Sequence, residues 1–261
     1  MASPAGDLAS QFRLDGRVAL VTGAGRGIGR SVALAFAQAG AEVWLVSRTR
    51  AELEQVAAEI RAAGGRAHAA VCDVTDPAAV VKTVAAIPAL DILVNNAGMN
   101  IPEPFVEVSE EHLDRVLDLN VKSMFVVAQA AVKKMLEAAD RKARGGAIVN
   151  ITSQMGHVGA ANRTVYCLTK HAVEGLTKAL GVELAPHNIR VNSVAPTFVD
   201  TPMTAPMFQR PKFSKWVHDR IPMGRLGRLD EVVTAVLFAA SPAASLMTGT
   251  SLVIDGGWTA Q

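Results

Sequence analysis

The stretch that decides the fold is "VALVTGAGRGIGRSVALAFAQAG", residues 18–40. It opens with an apolar run typical of a buried strand and closes with apolar side chains at helical spacing. Gly23, Gly27 and Gly29 lie between them and allow a tight turn onto a helix N-terminus, which binds anions well. Because the glycines follow G-x-x-x-G-x-G and not G-x-G-x-x-G, a glycine-rich turn without a ligand stays open as an alternative.

The alternation of apolar strand and longer helical stretch continues along the whole chain. Helical patterns cover 50–63 and 229–240, and a third begins at Ser109, where a cap residue precedes two acids. The apolar runs are RVALVT (17–22), EVWLVS (42–47), RAHAAVC (66–72), DILVN (91–95), GAIVNIT (146–152), IRVNSVA (189–195) and SLVID (251–255). They lack in-and-out alternation, as expected of strands covered on both faces. The sequence therefore predicts one α/β domain, a doubly wound parallel sheet of about seven strands with helices on both faces.

We expect a polar N-terminal tail at 1–11 and a single domain over 12–261. The region 197–225 is long and irregular and holds four of the twelve prolines, which favours a substrate loop or lid. Its apolar residues, Met203, Met207, Phe208, Phe213 and Trp216, suggest a lid helix, with plain packing on the domain as the alternative.

The composition excludes several classes of protein. A formal net charge of +2 gives no reason to expect nucleic acid or an anionic membrane as a partner. The first dozen residues lack the features of a signal peptide, and no apolar stretch reaches the length of a membrane span. Cys72 and Cys167 are far apart and show no metal-ligand spacing, so we expect reduced thiols, a cytoplasmic location and no metal site.

The second strand ends in Ser47 and Arg48, at the place where an acid would bind the ribose 2′-hydroxyl of NAD. A hydroxyl and a guanidinium suit a 2′-phosphate instead, and Arg26 in the turn adds a second cation. These residues favour NADP over NAD, unless Arg48 and Arg50 merely begin an exposed helix.

Tyr166 is the single tyrosine of the chain, and Lys170 follows one helical turn later. Residues i and i+4 share a helix face, so the ammonium group is expected to lower the phenol's pKa and make Tyr166 an acid or base near neutral pH. The pair alone is a weak signal. Other polar residues strengthen the signal from this pair: Ser153 and Asn95-Asn96 stand at strand ends, and Asn120 lies inside an apolar helix. Ligands of doubly wound sheets bind beyond the carboxyl ends of the strands, so these residues are expected to share one crevice with the pair.

With these residues assembled, residues 12–258 closely resemble the short-chain dehydrogenase/reductase family. The matching segments are TGAGRGIG (22–29), Asp73 of CDV, NNAG (95–98), Asn120, Ser153, YCLTK (166–170), VNSVAP (191–196) and DGG (255–257). The resemblance implies a Rossmann-type sheet that binds a nicotinamide cofactor. It also implies that Tyr166 exchanges the proton and that Lys170 lowers its pKa and holds the ribose. Ser153 would bond the substrate oxygen, and Asn120 would support a proton relay through water.

The resemblance extends to the cofactor contacts. Asp73 and Val74 would meet the adenine, and Val199 and Thr201 would hold the carboxamide. Thr197 stands where the family usually has glycine, which makes the nicotinamide pocket bulkier. The complete predicted set is Gly23, Arg26, Gly27, Ile28, Gly29, Ser47, Arg48, Asp73, Val74, Asn96, Ala97, Gly98, Tyr166, Lys170, Pro196, Val199 and Thr201.

The predicted activity is NADP(H)-dependent interconversion of a ketone and a secondary alcohol. The substrate is expected to be small or hydroxylated: a sugar acid, polyol or simple ketone. Gln154, His157 and Asn162 are candidates to face it, or are loop residues pointing to water. The resemblance also implies a homotetramer built on helices 109–137 and 164–185.

Two alternatives stay open. One is 3-oxoacyl-acyl-carrier-protein reduction, in which a basic run would receive the acidic carrier protein. That run comprises Lys133, Lys134, Arg141, Lys142 and Arg144. The other is a catalytically silent nucleotide-binding sensor or scaffold. Enoyl reduction is not favoured, because the enzymes of that kind space their tyrosine and lysine more widely.

Overall fold

The computed structural model describes residues 7–201 and 204–261, and a parallel sheet of seven strands forms its centre. Each of the seven apolar runs is one of its strands, so the predicted fold class is confirmed. The strands are β1 (Val18–Thr22), β2 (Glu42–Ser47), β3 (Arg66–Val71), β4 (Ile92–Asn95), β5 (Gly146–Ile151), β6 (Ile189–Pro196) and β7 (Ser251–Ile254). Their order is β3-β2-β1-β4-β5-β6-β7, with every neighbouring pair parallel. The winding direction therefore changes between β1 and β4, where a doubly wound sheet opens a crevice.

Two of the helices begin at residues whose side chains cap them. Ser109 accepts a hydrogen bond from the His112 N–H at the start of α4, and Asp76 accepts two bonds from backbone N–H groups at the start of α3. The helices are α1 (Gly27–Gln38), α2 (Arg50–Ala62), α3 (Pro77–Ala85), α4 (Glu110–Leu117), α5 (Ser123–Leu136), α6 (Arg141–Arg144), α7 (Thr164–Glu183), α8 (Ala205–Phe208), α9 (Pro211–His218) and α10 (Leu229–Ala240). The two clearest predicted helices, 50–63 and 229–240, correspond to α2 and α10.

The predicted helix 109–137 is not one continuous α-helix. A π-helical turn at Asp118–Lys122 separates α4 from α5, and Asn120 lies inside that turn. The extra residue in such a turn widens the helix locally, and π turns occur frequently at functional sites. The sequence pattern did not reveal the turn because one inserted residue barely changes an apolar periodicity.

The two faces of the sheet carry separate apolar layers. Side chains of α1, α2 and α10 cover one face, with Phe36, Ile60 and Val236 fully buried. Side chains of α3 and α5 cover the other, where Val84 and Met135 are buried. Layers on both faces explain why the strands are apolar on both sides.

The amino-terminal edge of the sheet is held by a buried carboxylate. Asp91 is 1% exposed and lies 2.6 Å from Arg144, 3.2 Å from Arg141 and 3.7 Å from Arg17. Burial disfavours its charged form, but the bonds from Arg144 and the Val18 N–H outweigh burial and lower the pKa of Asp91. Arg141 and Arg144 are therefore structural, which contradicts their place in a basic docking surface.

The ends of the chain and the 197–225 segment differ from the expectation. Residues 8–12 form a 3₁₀ turn, so the last residues of the predicted tail have regular structure. The ring of Phe12, the first residue of the predicted domain, lies 6.3 Å from that of Phe238. The segment 197–225 holds the two short helices α8 and α9 in place of one lid helix. Met203 lies outside the described residues. No helix among residues 7–201 and 204–261 has the length and apolarity needed to cross a membrane.

Candidate active site

A crevice of about 1190 Å³ runs along the carboxyl edge of the sheet, over the point where the strand order reverses. It collects segments that follow β1, β2, β3, β4, β5 and β6, which explains why residues distant in sequence meet there. Apart from Gly29, every predicted cofactor residue lines it, as do Ser153, Tyr166 and Lys170. Asn120 does not line it, because its side chain is fully buried behind the wall.

The glycine-rich turn forms an open cradle at one side of the crevice. Gly27 has a φ of 56°, and a Cβ built on it would have no atom within 4 Å, so the backbone faces free space. Gly29 does not line the crevice, but a Cβ there would collide with the carbonyl oxygen of Gly23. Helix α1 begins at Gly27, so its unpaired N–H groups point at this space. The cradle fits the phosphates of a dinucleotide.

Thr22 and Asn96 join the ends of β1 and β4. The Thr22 hydroxyl accepts bonds from the backbone N–H groups of Asn96 (2.9 Å) and Ala97 (3.1 Å). In return, Asn96 Nδ2 donates to the Thr22 carbonyl at 2.9 Å and the Gly23 carbonyl at 3.3 Å. Thr22 does not line the crevice but supports its wall. Sequence reasoning identified Thr22 only as the first residue of TGAGRGIG, because its partners lie 74 and 75 residues away along the chain.

Charged groups of both signs meet beyond β2 and β3. The Arg48 side chain is 75% exposed, and its Nη1 lies 3.8 Å from an oxygen of Asp73. Burial of the Asp73 carboxyl opposes its ionisation, but bonds from the Thr75 N–H and hydroxyl lower its pKa overall. Sequence reasoning missed Glu52, whose carboxylate lies against Gly25 and close to Ser47. This end of the crevice thus presents a cation and a carboxylate together.

Tyr166 has a higher pKa than the sequence suggested. Part of its side chain is open to the crevice, yet burial is the largest influence and raises the pKa to about 12, against a smaller lowering by the Ser153 hydroxyl. The Lys170 ammonium lies over the ring, 5.5 Å from its centre, and its hydrogen bond goes to the Ile151 carbonyl. The expected lowering of the pKa by Lys170 is therefore wrong for the polypeptide itself.

Lys170 is buried behind Tyr166 and is held by the chain. Its Nζ donates a hydrogen bond of 2.9 Å to the Ile151 carbonyl oxygen at the end of β5. Burial lowers the pKa of Lys170 to about 8, while the charge of Glu174, one helical turn further on, acts in the opposite direction. Glu174 itself accepts bonds from the hydroxyls of Thr152 (2.5 Å) and Ser193 (2.7 Å). This buried carboxylate is another residue that the sequence did not indicate.

Ser153 is positioned by its neighbours at the end of β5. Its hydroxyl donates to Gln154 Oε1 at 2.6 Å and accepts from the Met155 N–H at 3.1 Å. A carbonyl oxygen entering the crevice can compete with Gln154 for the Ser153 proton. Ser153 thus remains able to act as a donor beside Tyr166.

Asn120 secures the wall behind these groups. Its Oδ1 accepts from the Met99 N–H at 2.8 Å, and its Nδ2 donates to the Met99 carbonyl at 2.8 Å and the Thr169 hydroxyl at 3.1 Å. These bonds connect the segment after β4 to helix α7. Asn120 therefore fixes the spacing between the two walls of the crevice.

The segment after β6 closes the crevice near Tyr166. Pro196, Val199 and Thr201 line it, and the Thr204 hydroxyl donates to the Val199 carbonyl at 2.6 Å. Thr197 also lines it, and its buried Oγ1 has no hydrogen-bond partner within the described part of the chain. A polar atom left unpaired beside open space favours a polar ligand group at this end.

Three of the polar residues suggested by the sequence take different positions. Gln154 and Asn162 line the crevice, so both can meet a substrate. His157 does not line it: its Nε2 lies 3.0 Å from the Ser251 hydroxyl and 3.4 Å from Glu174, so the prediction that it faces substrate is wrong. Asn95 is buried and donates to the Met124 carbonyl at 2.8 Å, which is a structural role. Among the residues that the structure describes, no cluster of His, Cys, Asp and Glu could hold a metal ion.

The chain was compared with known proteins. A family model described as Enoyl-(Acyl carrier protein) reductase matches residues 23–259. L-xylulose reductase of Bos taurus is 41% identical over 251 residues, covering 95% of this chain and 99% of that protein. The 3-oxoacyl-[acyl-carrier-protein] reductase of Thermotoga maritima is 39% identical over 250 residues, with 94% and 99% covered. A gluconate 5-dehydrogenase from Burkholderia cenocepacia J2315, crystallised with NADP and tartrate, has a TM-score of 0.91 at 35% identity, with 98% and 100% covered.

A doubly wound parallel sheet that brings a phosphate cradle, a serine, a tyrosine and a lysine into one crevice defines an NAD(P)-dependent oxidoreductase of CH–OH and keto groups. The comparisons agree with that class over nearly the whole length of the chain. The chain belongs to the short-chain dehydrogenase/reductase family.

Proposed function

We propose that this protein uses NADP(H) to interconvert a ketone and a secondary alcohol on a small hydroxylated substrate, with Tyr166 as the proton-transferring group. The observation that carries the proposal is the convergence of Ser153, Tyr166 and Lys170 on the crevice that also holds the open cradle at Gly27. Sequence spacing suggested these residues, and the fold supports the assignment by placing them at one edge of the sheet.

The predicted cofactor residues fit an NADP molecule along the crevice. The cradle at Gly27 would take the pyrophosphate, Asp73 and Val74 would meet the adenine, and Arg48 would pair with the 2′-phosphate. The carboxamide of the nicotinamide would lie among Pro196, Val199, Thr201 and the Thr197 hydroxyl, which has no partner in the described chain. The NADP in the compared gluconate 5-dehydrogenase supports this choice, with NAD as the second candidate. When bound, the cofactor supplies or accepts the hydride.

The chain's own residues handle the proton. Because the pKa of Tyr166 is about 12, its phenol is fully protonated near neutral pH and can donate to the oxygen of a carbonyl as charge develops there. Ser153 provides a second donor to the same oxygen, and two donors stabilise the reduced oxygen more than the neutral carbonyl. Lys170 is charged below about pH 8 and lies over the phenol ring, so its ammonium stabilises the phenolate that forms when Tyr166 donates its proton.

Asn120 has a different part in this proposal. Its side chain is fully hydrogen-bonded to Met99 and Thr169, so it acts by holding Lys170's helix against the segment after β4. The π turn around Asn120 adds an irregular backbone close to this contact, which is compatible with the predicted relay through water. We therefore assign Asn120 as a positioning residue.

Two alternatives to this function lose support. A carrier-protein site on the basic run is weakened, because Arg141 and Arg144 bind Asp91 at the sheet edge opposite the crevice and Lys134 pairs with Glu137. A silent sensor has no need of a serine, a tyrosine and a lysine assembled in one place. The family model is described as an enoyl reductase, but the three compared relatives carry the names of enzymes of keto or hydroxyl groups, which favours the ketone over the enoyl substrate. One of the three, the Thermotoga maritima protein, carries the name of the carrier-protein alternative, which the thioesters of the test below examine.

We also propose a homotetramer in the cytoplasm. Helices α5 and α7, within the predicted contact helices 109–137 and 164–185, expose apolar side chains at Phe125, Leu136, Leu168 and Val182. Exposed apolar surface on neighbouring helices is typical of subunit interfaces. Cys72 and Cys167 are both free, as expected in a reducing compartment. Mass measurement in solution tests the assembly.

The function is tested by titrating the protein with NADPH and NADH and following nicotinamide fluorescence. The bound complex is then mixed with a panel of hydroxylated ketones and 3-oxoacyl thioesters while NADPH consumption is recorded. Tighter binding of NADPH and turnover of the ketones would support the proposal. Binding of neither nucleotide, or turnover of the thioesters alone, would overturn it.

A further inference from the structure

An arginine lies at the substrate end of the crevice with no acidic partner in the part of the chain that the structure describes. Arg163 immediately precedes helix α7 and lines the crevice three residues before Tyr166. Its Nη1 donates to the Asn162 carbonyl oxygen at 3.0 Å, and that oxygen also accepts from the Glu103 N–H at 3.2 Å. One nitrogen is therefore used to hold the guanidinium in place, while its other N–H groups have no hydrogen-bond partner among residues 7–201 and 204–261.

The surroundings of Arg163 favour an anion. It is partly buried, and loss of solvent is the largest cause of the lowered pKa of its guanidinium. A desolvated cation with free donors gains most from a carboxylate, because a guanidinium binds it through two parallel charge-assisted bonds. Within the described chain no carboxylate lies at ion-pair distance from Arg163, so its guanidinium is available to an anion that enters the crevice.

Lys170 lies at this end over the Tyr166 ring, with the charge of Glu174 near it. The remaining charged groups of the lining there are one cation and one bound acid. Arg210, at the start of α9, also lines the crevice and has no carboxylate at ion-pair distance in the described chain. Glu103 lines it too, but both of its oxygens lie within 3.1 Å of His112 Nδ1, outside the crevice lining. The acids Glu52 and Asp73 lie at the far end, beyond β2 and β3. The substrate end is therefore net positive.

The position of Arg163 connects it to the reacting atoms. Arg163 is the residue immediately before α7, Tyr166 lies in the first turn of that helix, and both line the crevice. Their charges interact, since Arg163 lowers the pKa of Tyr166 and a charged Tyr166 raises that of Arg163. A substrate held by Arg163 would thus present its reacting carbon to Tyr166 at a distance of a few bonds.

We propose that Arg163 binds the carboxylate of the substrate, which makes the protein an oxidoreductase of keto acids and hydroxy acids rather than of neutral ketoses. This inference rests on the proposed ketone reduction and names its substrate class. The planar guanidinium of Arg163 matches the two oxygens of a carboxylate, and a ketose phosphate is the other anion that the substrate panel tests.

The test compares substrates that differ only in this group. L-sorbose and 5-ketogluconate are such a pair, since the second carries a carboxylate where the first has a terminal CH₂OH. Steady-state kinetics with saturating NADPH are measured for the native protein, Arg163→Gln and Arg163→Lys. Arg115→Gln, an exposed arginine of α4 outside the crevice, is the control. A ketose phosphate completes the panel.

The native protein is expected to prefer the keto acid, and Arg163→Gln to lose about 10- to 100-fold in kcat/KM for the acid relative to L-sorbose, the range expected from losing hydrogen bonds to a charged group. Arg163→Lys should recover only part of the loss, because an ammonium cannot bind bidentately. The quantity compared is the ratio of kcat/KM for the keto acid to that for L-sorbose, because an effect of Arg163 on the Tyr166 phenol acts on both substrates alike. Arg115→Gln should match the native protein for both substrates, since surface changes have small effects.

Equal turnover of the pair by the native protein, or an equal loss for both members in Arg163→Gln, would overturn the carboxylate assignment. Preference for the ketose phosphate would overturn it as well. Each of these outcomes still includes ketone reduction. If the protein binds NADPH and reduces no ketone of the panel, the proposed function itself is wrong.

Discussion

The ammonium nitrogen of Lys170 lies 5.5 Å from the centre of the Tyr166 ring and donates a hydrogen bond to the carbonyl oxygen of Ile151 at 2.9 Å. The lysine is thus aligned with the face of the ring and anchored to the end of β5. The environment of Tyr166 therefore acts in one way before proton donation and in another way after it. Burial keeps the phenol protonated, and the nearby cation stabilises the negative charge that proton donation leaves behind.

Replacing Tyr166 by phenylalanine removes the proton donor and leaves the ring in place. We expect kcat/KM for ketone reduction to fall by about 10²- to 10⁴-fold, the range for loss of a general acid. NADPH affinity measured by nicotinamide fluorescence should stay within about threefold, because the phenol is one contact among many. Retention of more than a tenth of the activity would contradict the assignment of Tyr166 as the proton donor.

The pH profile should show one limb set by Lys170. Its pKa is about 8, so kcat/KM for reduction is expected to be constant near pH 7 and to fall above about pH 8 as the ammonium loses its proton. The negative charge of Glu174 raises this pKa, so Glu174→Gln should move the falling limb to lower pH. Glu183→Gln, an exposed change on the same helix, is the control and should leave the profile in place. If the falling limb does not move in Glu174→Gln, the loss of activity at high pH is not caused by deprotonation of Lys170.

Glu52 and Arg48 should act on cofactor choice in opposite directions. Arg48→Ala is expected to weaken NADPH binding and leave NADH binding unchanged. Glu52→Gln should tighten NADPH binding by about 3- to 10-fold, because a carboxylate close to Ser47 repels a 2′-phosphate through a partly screened Coulomb interaction. Glu54→Gln, outside the crevice on the same helix, serves as control. If the ratio of NADPH to NADH affinity is unchanged in both Arg48→Ala and Glu52→Gln, the 2′-phosphate of NADP does not bind beside Arg48 and Ser47.

The Asp91 cluster should govern stability and not activity. Asp91→Asn leaves Arg141 buried without its counter-charge, and loss of one partner of a buried ion pair costs about 3–5 kcal/mol of unfolding free energy. Urea denaturation at neutral pH measures this loss, with the exposed change Asp118→Asn as control. Activity per folded molecule should be unchanged, because the cluster lies at the other edge of the sheet. Equal midpoints for both variants would contradict the prediction.

The same cluster predicts an acid limb of stability in the native protein. The folded pKa of Asp91 is lower than the unfolded value of about 3.9, so its contribution is fully present above that value. The contribution is lost as pH falls through the lowered folded pKa. Unfolding free energies measured down an acid series should therefore fall less steeply in Asp91→Asn than in the native protein.

Most of the fold could be predicted from local sequence. All seven strands and the helices α2 and α10 were found from apolar runs, helical spacing and caps, because these features depend on a few neighbouring residues. The division of 109–137 by a π turn and the two short helices in 197–225 could not. Both depend on how the chain packs against the body of the domain.

The crevice residues divide in the same way. The sequence by itself identified the glycine turn, Ser153, Tyr166 and Lys170, because fixed spacings and strand ends bring such residues to one edge of a parallel sheet. Only the tertiary structure showed Thr22, Glu52, Arg163 and Glu174 beside them, and only it moved His157 to the Glu174 network and Arg141 to Asp91. It also reversed the expected direction of the Tyr166 pKa. A helical spacing places one charge near another, but the cost of losing water depends on every group around the phenol, and those groups meet only in the folded chain.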